Sequence, residues 1–432
     1  MTYSARTLLT SLFAIALLFA IAFAPAYGAV PGAKPRADRF YDLHYRAQFE
    51  PHDGTIPGII HVELHLTGER LPGKIVLSID PQRYRAFTST DPIETTSRTV
   101  TWRPRGKFSR LAYDFVVNHE RTPGHFDSLM TPDWALFRGD RMIPKVAVTA
   151  PPSLKSRATL EFVLPKGWSA LTPYERSAGE PRTIDDPTRR FDRPEGWMIA
   201  GKLGTRSEEI AGIHTIIASP AGEEVRRQDT LAFLNWNLPL LAEIFKSFPS
   251  RLLIVSAGDP MWRGGLSAPA SLFVHSHRPL ISENRTSTLL HELVHVAMGI
   301  RGDAESDWIV EGLAEFYSIE TLRRSGGISK ARYDEAMQKM KQWGAKAPTL
   351  FAKISSGAVT ARAVVALHRT DDEIREATGG KASLDEVARE LAQQQGEVSL
   401  AVLQSIAEKV AGRRVKALER VQLSATPASP AR

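Results

Sequence analysis

The chain has 432 residues, and its 43% hydrophobic and 24% charged residues are ordinary for a globular protein. Its length favours two folded domains over one. The absence of cysteine excludes disulfides, a thiol nucleophile and cysteine ligands for a metal. The net charge of +7 is spread along the chain without a nucleic-acid-binding motif, so we expect no nucleic-acid partner.

The N-terminal segment is uncharged and strongly apolar. Residues Thr7 to Ala33 carry no charge, Arg6 precedes them, and small residues follow Pro25. This pattern predicts a signal peptide at residues 1–28 and an exported protein, either periplasmic or secreted. The alternative is an uncleaved segment that anchors the chain in the membrane. We expect no other membrane-spanning segment, because no later stretch is apolar over a sufficient length.

Residues 29–219 are predicted to form a β-rich domain. Apolar residues occupy alternate positions in several short runs, which turn signals such as Pro72-Gly73 separate: His61–Leu66, Leu111–Val117 and Leu160–Leu164. Such spacing is typical of an antiparallel β-sandwich or an open barrel of short strands. The residues from Pro165 to Gly204 are rich in glycine and proline, and they predict an irregular connection before a last strand, Ile213–Ala218.

Residues 220–423 are predicted to form a second, mainly helical domain, because apolar residues recur at helical spacing from Asp229 onward. Pro239 is expected to bend or interrupt the first helix. Two short strands are expected next, Leu252–Val255 and Ala270–His275. We interpret the second of these strands as the sheet edge that pairs with a substrate. His275 and His277 either belong to a functional site or merely end this strand, and the second case is the more common.

A zinc-binding motif lies in the helical half. His291 and His295 are four residues apart, so on a helix their imidazoles project from one face and can share one metal ion. Zinc binds neutral imidazole and carboxylate groups, and a catalytic site keeps one position open for water. Glu292 follows the first histidine and can reach that water as a general base. A third protein ligand is required.

Glu311 is the predicted third ligand. The pattern predicts two helices joined by a short loop, one from about Asn284 to Gly299 and one from Ser306 or Asp307 to the residue before Gly326. Such a connection places the helices side by side and brings Glu311 against both histidines. One zinc ion per chain is expected, and its predicted ligands are His291, His295 and Glu311. Glu315 either orients a ligand histidine or is a solvated carboxylate.

The residues from about Ile213 to Leu391 resemble the catalytic domain of the glycyl aminopeptidase family, whose members are thermolysin-like zinc peptidases. The resemblance is carried by the segments Gly264–Leu266, His291–His295, Trp308–Gly312 and Asp372–Val387. It implies an α+β fold in which an antiparallel β-sandwich-like N-terminal domain precedes a mainly helical, thermolysin-like catalytic domain. It also implies a peptide or protein substrate, and the expected substrate-binding residues are Gly264, Gly265 and Leu266.

Two departures from the family pattern bear on activity. Ser267 stands where the family carries a glutamate that helps to hold the free amino group of the substrate, so we expect endopeptidase or relaxed peptidase activity. Thr360–Ala363 stands where the family carries the tyrosine that stabilises the oxyanion. The loss of such a donor costs a factor of roughly 100 to 1,000 in rate unless another group replaces it. Tyr317 and His368 are the candidate replacements.

The sequence thus predicts an exported zinc metallopeptidase that hydrolyses peptide bonds through a metal-activated water, with Glu292 as general base. The alternative is a zinc-binding homologue of weak or no activity that binds peptides or envelope partners. The PDZ module of the family is expected to be absent, because the chain after the resemblance is too short for an ordinary domain. Residues 424–432 are predicted to be a disordered tail.

Overall fold

The computed structural model describes residues 39–53, 56–175, 180–184, 190–394 and 396–424. The predicted signal peptide and all but the first residue of the predicted tail lie outside these ranges. Residue 424 itself is the last residue of a short helix. No helix within the described ranges is long and apolar enough to cross a membrane.

Up to Pro220, the described chain is dominated by β-structure, with a one-turn helix, α1 (Gly139–Met142). Its strands are β1 (Phe40–Glu50), β2 (Ile59–Thr67), β3 (Lys74–Ser78), β4 (Tyr84–Ser89), β5 (Ile93–Thr95), β6 (Thr99–Trp102), β7 (Phe108–Val116), β8 (His119–Thr122), β9 (His125–Met130), β10 (Trp134–Arg138), β11 (Val146–Thr149), β12 (Lys155–Val163), β13 (Ser169–Leu171), β14 (Arg182–Ile184), β15 (Trp197–Gly201), β16 (Leu203–Ile210) and β17 (Ile213–Pro220).

Strands β1 to β15 form three sheets. One has the strand order β14-β12-β1-β2-β7-β4, the second β13-β15-β10-β9-β8 and the third β11-β3-β6-β5. Within them β1 and β12 are parallel, and the other paired strands are antiparallel. Buried residues from all three sheets pack into one core, among them Leu64, Trp102 and Phe137. The predicted antiparallel β-structure of the N-terminal half is therefore confirmed.

The prediction of an irregular connection from Pro165 to Gly204 is wrong. Strands β13, β14 and β15 lie in this region, and β15 pairs with both β10 and β13. All five residues of β15 are buried. A strand that is covered on both faces does not alternate apolar with polar residues, so it lacks the period of two that marks a half-exposed strand.

Helices become frequent after Pro220, as predicted. The elements are α2 (Arg227–Phe245), β18 (Arg251–Val255), β19 (Gly265–Ala268), β20 (Ser271–Val274), α3 (Thr288–Met298), β21 (Arg301–Gly302), α4 (Asp307–Arg324), α5 (Lys330–Gly344), α6 (Ala358–Thr378), α7 (Leu384–Ala392), β22 (Glu397–Val398), α8 (Leu400–Ala411), a 3₁₀ turn (Lys416–Leu418) and α9 (Arg420–Ser424). The helices and the sheet beside them enclose a separate large core, which includes Leu234, Leu293, Leu313 and Leu367.

A five-stranded sheet of order β16-β17-β18-β20-β19 lies beside these helices. β17, β18 and β20 run parallel, whereas β16 and β19 are antiparallel to their neighbours. Because β16 and β17 precede residue 220, this sheet takes strands from both sides of the predicted domain boundary at 219/220, and the division into domains stays a prediction.

The prediction that Ala270–His275 forms the sheet edge is wrong. β20 lies between β18 and β19, so it is paired on both sides. The chain turns back after Ala268 in a tight hairpin, and this turn leaves β19 as the outer strand although β19 comes first in the sequence. At this side of the sheet, the strand that can accept a further partner is therefore β19.

The helices that carry the zinc-binding motif largely match the prediction. α4 begins at Asp307 and ends before the two glycines, as expected. α3 begins at Thr288 rather than near Asn284, because the Ser287 side chain accepts a hydrogen bond from a backbone N–H of its first turn. It ends at Gly299, whose left-handed conformation is favourable for glycine. Pro239 does not interrupt α2, which continues through it, and a bend at this proline stays a prediction.

Candidate metal centre

α3 and α4 lie side by side and run in opposite directions. Ser318 on α4 accepts a hydrogen bond from the N–H of Ser287 (2.8 Å) and donates one to its carbonyl (3.1 Å). Ser287 caps α3, so these bonds attach the start of α3 to the middle of α4. Further along, His291 faces Glu315 and His295 faces Glu311. The helix pair thus brings the predicted ligands together from two segments of the chain.

The three predicted metal ligands converge. The Nε2 atoms of His291 and His295 lie 3.1 Å apart. Glu311 Oε2 lies 3.4 Å from His291 Nε2, and its Oε1 lies 3.5 Å from His295 Nε2. The side chains retain between 14% and 29% of their surface exposure, so the cluster is largely buried but still accessible to solvent. Two imidazole nitrogens and one carboxylate oxygen are a donor set that zinc prefers.

The charges of the cluster also fit a cation. Burial alone lowers the pKa of His291. The hydrogen-bonded carboxylates of Glu311 and Glu315 outweigh this effect and raise the pKa of His291 to about 10. Burial lowers the pKa of His295 to about 4, so this imidazole is neutral at pH 7. The carboxylates therefore stabilise positive charge at the point where the ligand atoms meet. A zinc ion supplies that charge, and the residues present fit it.

Glu315 contacts His291 directly instead of being solvated. Its Oε2 lies 3.0 Å from His291 Nδ1, and its side chain is only 18% exposed. A neutral imidazole carries its proton on one nitrogen. With the proton on Nδ1 and donated to Glu315, the Nε2 lone pair is free and faces His295 and Glu311.

Glu292 lies underneath β19. It is 8% exposed, and a β-carbon added at Gly265 would lie 2.7 Å from Glu292 Cγ and 2.9 Å from its Oε1. Burial raises the pKa of the Glu292 carboxyl above its usual range. The positive charge of the neighbouring His291 opposes part of that rise. At Gly265 the outer strand therefore packs so closely against this carboxyl group that a side chain does not fit between them.

The backbone of β19 presents hydrogen-bonding groups at the free edge. The N–H of His275 donates to the carbonyl of Gly264 (3.0 Å), so the peptide groups of Gly264 and Leu266 face β20. Because bonding alternates along an antiparallel pair, the peptide groups of Gly265 and Ser267 face away from it. The expected substrate-binding residues Gly264, Gly265 and Leu266 thus lie at or beside the outer strand.

Neither candidate replacement for the oxyanion tyrosine joins the cluster. Tyr317 is fully buried, and its hydroxyl donates to Asp385 on α7 (3.0 Å). His368 Nδ1 lies 3.1 Å from Asp372 on the same helix. Both side chains are engaged in these described contacts with other partners.

Several contacts that shape the site could not be found in the sequence. Trp197 of β15 donates from Nε1 to the Leu266 carbonyl (2.8 Å) and so attaches the β-rich half to the outer strand. Just before β19, the Pro260 carbonyl accepts a hydrogen bond from the Phe126 N–H of β9 (3.0 Å), and the Trp262 N–H donates to the Phe126 carbonyl (2.8 Å). The guanidinium of Arg121 lies 4.5 Å from the Trp262 ring. These pairs are distant in the sequence, and no local pattern marks them.

Solved structures share the fold of this chain. An aminopeptidase N family protein from Idiomarina loihiensis is 14% identical, with a TM-score of 0.63 over 81% of this chain and 70% of that one. An M1 zinc metallopeptidase from Deinococcus radiodurans is 18% identical, with a TM-score of 0.55 over 91% and 94%. A mutant of the Deinococcus enzyme bound to a Tyr-Ser-Ala substrate aligns with a TM-score of 0.55 at 17% identity over 91% and 94%. No protein-family model and no curated protein matches the chain. At these identities the likeness shows a common fold.

Proposed function

We propose that the chain is a zinc-dependent peptidase in which His291, His295 and Glu311 hold the catalytic zinc ion and Glu292 is the general base. The observation that carries the proposal is the convergence of two imidazole nitrogens and a carboxylate oxygen beside a buried carboxyl group under an outer strand. The fold shared with M1 zinc metallopeptidases supports the same assignment.

Each residue of the cluster has a separate task. Zinc, when bound, supplies a Lewis acid that polarises a carbonyl and makes water acidic. Glu292 accepts a proton from the attacking water and delivers it to the departing amine. Its buried position beside His291 and against Gly265 holds the carboxyl group in place for both transfers. Glu315 accepts the Nδ1 proton of His291 and keeps the Nε2 lone pair free for the ion.

The substrate binds as an additional strand beside β19. The outward peptide groups of Gly265 and Ser267 offer the donors and acceptors that an extended peptide needs. Gly265 has no side chain, so the substrate backbone can approach Glu292 closely. Gly264, Gly265 and Leu266 are the proposed substrate-binding residues.

The mode of cleavage follows from position 267. Ser267 is uncharged, so it offers no carboxylate to the free amino group of a peptide. This supports endopeptidase or relaxed cleavage by a divergent member of the glycyl aminopeptidase family. The proposal includes export by a signal peptide at residues 1–28 and a boundary between the β-rich and catalytic domains at 219/220.

A second candidate function is binding of peptides or envelope partners without efficient catalysis. Its support is that Tyr317 and His368, the two candidate oxyanion donors, are bonded to Asp385 and Asp372. The buried Glu292 favours the peptidase, because a binding protein has no chemical need for a general base.

The test is cleavage of a peptide library by the zinc-loaded protein, read by mass spectrometry. Half of the library carries blocked N-termini, and a chelator-treated sample is the control. Internal cuts in blocked peptides that disappear after chelation are the expected result. Release of N-terminal residues alone would contradict the endopeptidase mode, and an intact library with zinc bound would favour the second candidate function.

A further inference from the structure

A second cluster of metal-binding side chains lies at the carboxyl ends of β18 and β20. These strands are parallel neighbours, with Ile254 opposite Leu272. The segments that follow parallel strands meet at the same edge of a sheet. Asp259 lies in the segment after β18, whereas His275 and His277 follow β20. The pair His275 and His277 is the pattern that the zinc-peptidase proposal leaves unused.

The three side chains are close enough to share one ion. One donor atom from each lies within 4.8 Å of the donor atoms of the other two. His275 Nε2 lies 3.4 Å from Asp259 Oδ1, and the centroids of the two imidazole rings are 5.1 Å apart. Two imidazoles and one carboxylate are the donor chemistry of zinc and related divalent ions.

His275 provides an independent indication of a ligand. Its side chain is 1% exposed, and its Nε2 atom makes no hydrogen bond within the described residues, because the 3.4 Å contact with Asp259 Oδ1 does not form one. A buried polar atom without a partner destabilises the folded state, and a metal ion bound to Nε2 removes that cost. Burial also lowers the pKa of His275, so the ring is neutral, as a metal ligand must be.

Asp259 is held in place by a neighbouring guanidinium. Arg263 donates from Nε to Asp259 Oδ1 (2.8 Å) and from Nη2 to Oδ2. A carboxylate has about four acceptor positions, so these two bonds leave room for an ion. Hydrogen bonds of this kind fix the orientation of carboxylate ligands in metal sites. Glu223, whose Oε2 accepts the Gly258 N–H (2.7 Å), adds a further negative charge beside the cluster.

Metal binding at His275 requires the loss of one hydrogen bond. The backbone N–H of His277 donates to His275 Nδ1 at 3.2 Å. When Nε2 binds an ion, the ring proton must lie on Nδ1, so this long hydrogen bond is lost. At the first cluster the tautomer is already set by Glu315, so the ion at the second cluster binds more weakly than the ion at His291, His295 and Glu311.

We propose that Asp259, His275 and His277 form a second binding site for a divalent transition-metal ion of the zinc class. The N–H of His275 also holds the Gly264 carbonyl, immediately before the outer strand β19. An ion at this site therefore fixes the segment that leads into β19. The proposal does not depend on the peptidase assignment, because it concerns a different set of ligands.

The test is the amount of cobalt(II) bound by the chelator-treated full chain, measured by elemental analysis and by cobalt absorption. The parent is expected to bind two equivalents. His277→Ala and His291→Ala are each expected to bind one, and the double variant none. The matched control is His214→Ala, at the opposite end of the same sheet, which is expected to retain two. Asp259→Asn provides a second variant of the site with little change in volume.

The possible outcomes distinguish a failure of the second metal site from a failure of the peptidase assignment. A parent that binds one equivalent, lost in His291→Ala, would overturn the second site even if peptides are cleaved. Two equivalents that persist in both His277→Ala and Asp259→Asn would overturn it as well. Two equivalents that fall to one in His277→Ala, with folding confirmed by an unchanged far-ultraviolet circular dichroism spectrum, would support the site even if no peptide is cleaved.

Discussion

Gly265 and Glu292 are in direct contact across the interface of β19 and α3. A β-carbon at position 265 would lie 2.7 Å from Glu292 Cγ and 2.6 Å from Thr288 Cγ2. Real side chains do not approach so closely, so any residue other than glycine must displace the strand or the side chains of Thr288 and Glu292. The strand that offers its backbone to a substrate is therefore positioned against the carboxyl group that is proposed to move protons.

Gly265→Ala is expected to lower kcat/KM by about tenfold or more, because a small displacement of positioned groups has a large effect on rate. The overpacking should also cost about 1 to 3 kcal/mol of stability. Zinc content should be unchanged, since no ligand is altered. Peptide cleavage, denaturant unfolding and metal analysis measure the three effects. Gly73→Ala is the control, because an added β-carbon there meets only a carbonyl oxygen at 3.9 Å. Equal kcat/KM values for the two variants would contradict the close packing of Gly265 against Glu292.

Ser267→Glu places a carboxylate at the free edge of β19, where a substrate amino group can pair with it. We expect a shift from internal cuts toward release of N-terminal residues, measured as the ratio of the two product classes in a peptide digest. Ser267→Ala is the control, since it removes the same hydroxyl without adding charge. An identical product ratio in all three proteins would show that position 267 does not face the substrate terminus.

Glu315→Ala removes the acceptor for His291 Nδ1. Loss of such a partner typically weakens metal affinity by about 10- to 100-fold. The measurement is competition for zinc with a chromogenic chelator. Glu335→Ala removes an exposed carboxylate that pairs with Arg285, and it should leave zinc affinity at the parental value. Parental affinity in Glu315→Ala would mean that this carboxylate does not orient the ligand.

Glu63 makes the stability of the β-rich half depend on pH. The hydrogen bond from Arg110, with a smaller one from His65, lowers the pKa of Glu63 from 4.5 to about 2. A carboxyl group with a depressed pKa stabilises the fold above its unfolded pKa, and this stability is lost as the pH falls toward the folded value. Its contribution is therefore complete at pH 7 and disappears between about pH 4.5 and pH 2.

The free energy of unfolding of Glu63→Gln should accordingly be lower than that of the parent by about 1 to 2 kcal/mol at pH 7, a value that already allows for solvent screening. The difference from the parent should shrink as the pH falls below 4.5. Urea unfolding at a series of pH values measures this difference. Glu94→Gln, at a site that is 70% exposed, is the control and should match the parent throughout. A difference in unfolding free energy between Glu63→Gln and the parent that does not change with pH would contradict the ion pair.

Local sequence signals were enough to predict the two helices of the candidate metal centre. The ends of α4 are predictable because Ser306 precedes an apolar repeat and Gly326 follows it. The spacing of His291 and His295 needs only the helical period, and the short connection to α4 brings Glu311 to them. The start of α3 was less predictable, since two serines and one threonine closely precede it and only the structure shows which of them caps it.

Properties that depend on distant residues could not be predicted. β19 comes before β20 in the sequence, yet the order β18-β20-β19 makes β19 the outer strand. A short run of apolar residues does not specify its neighbours, so the edge was assigned to the wrong strand. The same limit applies to the bond from Trp197 to Leu266 and to the approach of Asp259 to His275, because both join separate segments.

The most direct measurement is the rate of peptide cleavage by the zinc-loaded parent and by Glu292→Gln, with zinc content determined for both. Glu292 is not a proposed ligand, so the two proteins should hold equal amounts of zinc. The variant should be slower by a factor on the order of 100 to 10,000, the usual contribution of a general base. Cleavage by the variant at the parental rate, with equal zinc, would contradict the assignment of Glu292.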